Sequence, residues 1–124
     1  MIDREILLRR LTEGDIFHAE SPNGASLICL VTYIAETEIH ARTVTSQLHL
    51  QFDRKTGIAE WGEDRVKCTI DSVEPLPIDI FDIMLGIDRR YTIGEDSDRL
   101  RLTEEEIGAL VYVDSYYSKN RLEN

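Results

Sequence analysis

Three hydrophobic periods follow one another along the chain, helical at the start, alternating through the middle and helical again at the end. Residues 2–11 (IDREILLRRL) predict a short helix, with Asp3 and Glu5 suited to the positive end of its dipole and Arg9 and Arg10 to the negative end. Ile6, Leu7 and Leu11 are the expected buried face, and Gly14 stands just past the end. From residue 14 the period changes to two. Residues 14–20 read as a strand, Pro22-Asn23-Gly24 as a turn, and 25–35 (ASLICLVTYIA) as a central strand apolar on both alternate sets. In that strand Leu27, Cys29, Val31 and Tyr33 form one set, and Ile28, Leu30, Thr32 and Ile34 the other.

Extended pieces continue through Ile39–Thr45, QLHLQFD, Ile58–Trp61 and a segment in which Val66, Cys68 and Ile70 alternate with polar residues. Asp53-Arg54-Lys55-Thr56-Gly57 closes a tight turn, with Gly57 at the position that needs a positive φ. Five or six short strands between residues 14 and 73 predict a small antiparallel sheet or SH3-like barrel, because closing a sheet removes its exposed edges.

After Pro75-Leu76-Pro77 the helical period returns. Ile80, Ile83, Met84, Ile87 and Tyr91 line one stripe, widened by Phe81 and Leu85, and Pro77 suits the first turn. Thr103-Glu104-Glu105-Glu106 fits a capping box that opens a last helix through about Tyr117, with Ile107, Leu110, Val111 and Tyr117 expected to face the core. The tail SKNRLEN reads as frayed. The expectation is therefore an α+β fold in one domain, 1–124, with a β core at 14–73, an N-terminal helix and two C-terminal helices within 76–118.

Composition narrows what such a domain does. The chain has 124 residues, 42% hydrophobic and 31% charged, a globular balance without an 18-residue apolar run or a signal-peptide start, so a cytoplasmic location without membrane association is expected. Cys29 and Cys68 lie in apolar or alternating stretches and read as buried free thiols. The net charge is −10, and residues 71–106 hold eleven acids against four arginines. Such a surface repels phosphate backbones and attracts basic proteins.

Chemical motifs are sparse. Cys29, His40, His49 and Cys68 lack the short ligand spacing of a zinc site, and the acids Glu95, Asp96 and Asp98 lack the ligand order of a calcium loop. GxSxG, GxGxxG, GxxxxGK[ST] and HExxH are all missing. No catalytic residue, metal or cofactor is expected, and the reading is of a non-enzymatic module.

Three functions are consistent with the sequence. The first is a regulatory, inhibitor or immunity-type protein that binds a basic partner through Trp61, Glu104, Glu105, Glu106, Tyr112 and Tyr116. The second is a small-ligand or RNA-sensing barrel in which Arg42, His49, Arg54 and Lys55 form a local basic patch. That patch lies in a stretch, residues 11–59, which still holds six acids against three Arg or Lys. The third is a subunit of a homo-oligomer, from the wide apolar stripe of 78–90.

Overall fold

A computed structural model describes residues 4–93 and 101–122, and there the alternating segment forms a small antiparallel barrel. Its strands are β1 (Ile16–Glu20), β2 (Ser26–Ile34), β3 (Glu38–Thr43), β4 (His49–Asp53), β5 (Ile58–Trp61) and β6 (Val66–Ser72). They pair in the order β4-β3-β2-β1-β6-β5, each neighbour antiparallel. β4 and β5, at the ends of that order, lie against each other across the turn at 53–57, so the sheet curls nearly shut. Three helices complete the α+β fold: α1 (Arg4–Arg9), α2 (Ile78–Thr92) and α3 (Glu104–Lys119). The acidic loop at 94–98 lies outside the described residues.

Alternation sorts the strand residues into two cores. Phe17, Ala19, Cys29, Val31, Ile39, Phe52 and Ile70 fill the barrel, where Phe17 meets Phe52 edge to face at 5.3 Å. Cys29 and Cys68 are buried there as free thiols, and burial pushes both of them up, away from the reactive thiolate. Ile16, Leu30 and Val44 stand on the outside of the sheet and meet Met84, Ile87, Ala109, Val113 and Tyr117 from α2 and α3. β2 is thus covered on both faces over residues 27–31, while Thr32 and Tyr33 beyond them are exposed.

α2 and α3 run antiparallel on that outer face. Arg90, near the end of α2, binds Glu106 at the start of α3, and Tyr116 reaches back to Pro75 ahead of α2. The capping box at the start of α3 forms as expected: Thr103 Oγ1 accepts from the Glu106 amide at 3.1 Å, and Glu106 Oε1 accepts from the Thr103 amide at 2.8 Å.

Four expectations are corrected by the structure. Ile6 is 51% exposed, and Leu8, fully buried, takes the core position with Leu11. The reason is Arg4, which donates to Thr56 O at 3.1 Å and to Ile70 O at 2.5 Å and so sets the roll of a six-residue helix. On β2 a bulge between Val31 and Tyr33 turns Ile34 inward and leaves Tyr33 outside, against His40. On α3 Ile107 and Val111 are 50% and 65% exposed; Ala109, Val113 and Tyr117 form the buried face, the two small residues allowing close approach. Finally, the tail is stitched down through Leu122, not frayed. Leu122 N donates to Asp71 O at 2.7 Å, and Ser72 Oγ donates to Asn120 O at 2.7 Å.

Candidate functional site

Of the four residues of the expected basic patch, Arg42 and Arg54 have commitments elsewhere. Arg42 and His49 do sit opposite each other on β3 and β4. The Arg42 guanidinium, however, is held by both oxygens of Asp88 on α2, at 2.9 and 2.8 Å, and Gln47 Nε2 donates to the same carboxylate at 2.9 Å. Burial pushes Asp88 up, but these hydrogen bonds and the Arg42 charge outweigh it and hold the carboxyl below its usual range. Arg54 donates from Nη1 to Ala35 O at 3.1 Å, while Lys55 lies exposed in the following turn. Glu38 and Asp53 pair in register on the same two strands and add negative charge beside them.

The acids of the helical layer divide in a similar way. Burial raises Glu106, yet its bonds to the Thr103 amide and to Arg90, at 2.5 Å, leave the carboxyl below the usual range. With Asp88, it is spent on holding the fold. Glu74, Asp79, Asp82, Glu104, Glu105 and Asp114 are all exposed and make no ion pair among the described residues. Those six, and not Glu106, are the carboxylates open to a partner.

Of the aromatic candidates, Tyr112 and Tyr116 are brought together and Trp61 is not with them. The tyrosine rings stack on α3 with centroids 5.9 Å apart. Tyr112 is 44% exposed, whereas Tyr116 is half-buried and donates its hydroxyl to Pro75 O at 2.6 Å. Burial first, then Glu74 and Tyr112, pushes the Tyr116 phenol up, so it stays a neutral donor. Trp61, 45% exposed, ends the edge strand β5, opposite Val66. Glu104 and Tyr112 are eight residues apart on one helix, or about 12 Å along its axis.

Pro75 also links the tyrosine pair to a feature assembled from four segments. Between α1 and α2 opens a cleft of about 410 Å³. Leu11 of the loop after α1, Ile16 of β1 and Val73 after β6 give it apolar surface, as do Leu7, Leu76 and Phe81. Arg10, Asp15, Glu74 and Ile78 complete the lining, and Ile78 is 78% exposed. The Asp15 carboxylate is oriented by the amide and hydroxyl of Thr12, at 2.9 and 3.1 Å. The volume lies within the roughly 300–1,000 Å³ usual for binding pockets, and an apolar wall with a few convergent charges is the usual pocket chemistry.

A buried polar pair also escaped the sequence reading. His18 Nδ1 donates to Asp71 Oδ1 at 2.5 Å beneath the ring of Tyr117, with centroids 5.3 Å apart. The histidine is 5% exposed, and its Nε2 finds no partner among the described residues. Arg121 stands 3.9 Å from Asp71 Oδ2 and 3.3 Å from Glu20, so the pair lies under the C-terminal stitching. The only hint in the sequence is that His18 occupies an outward position of a strand whose outer face is covered.

Among the described residues no group of three metal-ligating side chains is placed to hold an ion, and no helix is long and apolar enough to cross a membrane. No protein family, curated protein or solved structure matches the chain.

Proposed function

We propose that the protein is a non-enzymatic binding module whose helical layer engages a basic surface of a partner protein, in the manner of an inhibitor or other regulatory protein. The observation that carries this reading is the division of the acids. Asp88 and Glu106 are taken up by Arg42 and Arg90, while six other carboxylates around α2 and α3 stand exposed without an ion pair among the described residues. Unpaired like charges repel one another and cost stability, and a cationic partner removes that cost. The Tyr112–Tyr116 stack supplies what carboxylates lack, a rigid amphipathic contact of the kind that concentrates binding energy.

Charge of this kind acts first on the rate of encounter and on partner choice. The test is capture of partners from lysate by the wild-type protein and by a Glu104→Lys, Glu105→Lys variant, with the bound proteins identified. Basic proteins that elute with salt and are lost from the variant support the reading. Capture indifferent to both ionic strength and charge reversal contradicts it. Glu106 is left intact because it caps α3 and binds Arg90.

A further inference from the structure

The cleft between α1 and α2 gives this reading a more specific form. Its walls are aliphatic and aromatic, with Leu7, Leu76 and Phe81 around Leu11, Ile16 and Val73. Soluble proteins do not keep a concave apolar surface open to water without a cost, and one rimmed by polar groups marks an interaction site. The rim is more acidic than basic: Asp15 and Glu74 line it with Arg10, and Asp79 follows in the first turn of α2. Ile78, exposed at the mouth, extends the apolar surface outward. Pro75 joins that surface to the tyrosine stack, since Tyr116 binds its carbonyl.

We infer that this cleft receives apolar side chains from a short amphipathic segment of the basic partner, with a neighbouring Lys or Arg of that segment set against Glu74 and Asp15. The inference rests on the proposed function for the sign of the partner's charge, and on the cleft itself for the apolar anchor. An apolar side chain alone would leave the acidic excess of the rim, Asp15 and Glu74 against Arg10, unmatched, and a purely basic segment would leave the cleft walls wet. A segment that alternates the two satisfies both, as amphipathic segments do when they lay an apolar face into a groove. Glu74 is the better placed of the two acids, because it also lies near the Tyr116 phenol.

The probe is a synthetic amphipathic peptide of leucine and lysine, compared with a peptide in which serine replaces every leucine. Binding is followed by calorimetry and by backbone amide shifts. The Leu/Lys peptide is expected to move the amides of Leu7, Val73, Leu76 and Phe81, and to bind at least tenfold more tightly than the Ser/Lys peptide. Ile78→Ser and Glu74→Lys should each weaken it several-fold; both positions are exposed, and an unchanged thermal midpoint verifies that the fold is kept.

Equal binding of the two peptides, with shifts confined to α3, overturns the cleft inference while leaving the proposed function standing. Absence of binding by either peptide overturns both. Cleft amides that move with a neutral apolar probe such as 1-octanol, but not with the Leu/Lys peptide, assign the cavity to a small apolar ligand and likewise overturn the inference.

Discussion

Arg42 of β3 and Asp88 of α2 form a two-pronged ion pair, Nε to Oδ1 at 2.9 Å and Nη2 to Oδ2 at 2.8 Å, which fastens the helical layer to the barrel. Asp88 is 4% exposed, so removing one partner strands the other's hydrogen-bonding groups in a poorly hydrated site. Asp88→Ala is expected to lower stability by about 3 kcal/mol, the low end for breaking a buried pair because Arg42 keeps some contact with water. Urea unfolding of the two single variants and the double variant measures it. A double variant no less stable than either single one would show the coupling, and strictly additive losses would show its absence.

Acid should weaken the same fastening. Asp88 and Glu106 are both held below their usual range, so each binds its proton more weakly in the folded chain than in the unfolded one. Their contribution is therefore complete above the unfolded values of about 4 and is lost as pH falls from there through the folded values. Unfolding midpoints should fall through that window in the wild type, and less steeply in Asp88→Asn. A profile from Asp88→Asn that superimposes on the wild type would remove Asp88 from the account.

Gly57 is the position where the turn chemistry is least replaceable. Its φ is +73°, and a Cβ there would meet Arg4 Nη2 at 2.9 Å, Leu8 Cδ1 at 3.2 Å and Ile70 Cβ at 3.3 Å. Gly57→Ala combines a left-handed alanine, worth about 1–2 kcal/mol, with displacement of the arginine that seats α1. The expected loss is about 2 kcal/mol or more, read from thermal or urea unfolding. Gly62→Ala is the control, with φ +78° but nothing within 4 Å of its added Cβ, and it should cost less.

These sites also mark how far the sequence could be read. The capping box, the turn glycine at 57 and the alternation of β4 were legible because each is decided within a few residues. The phase of α1 was not, since a six-residue helix shows too little periodicity to choose between Ile6 and Leu8, and Arg4 makes the choice through distant carbonyls. Tyr33 and Ile34 exchanged sides because a bulge adds one residue to a period of two, which the apolar pattern of β2 cannot reveal. On α3 the stripe had two apolar solutions, and the small residues Ala109 and Val113 decided in favour of the inner one.

The candidate site was legible only in part. The excess of acid and the tyrosines could be seen, but the pairing of Asp88 and Glu106 with arginines depends on contacts 46 and 16 residues apart in the chain. The cleft is less visible still, being built from α1, the start of β1, the segment after β6 and α2. None of these segments carries a binding motif by itself.

Whether the exposed acids of the helical layer bind a basic partner is decided by the salt dependence of the dissociation constant for the Leu/Lys peptide. The expected affinity falls about tenfold or more as salt shortens the Debye length from roughly 30 Å to 3 Å, and a Glu74→Lys, Asp79→Lys variant, with the charge reversed beside the cleft, binds weakly at low salt and loses little more on adding salt. An affinity unchanged by salt in the wild type, and unchanged by reversing those two charges, would contradict that binding.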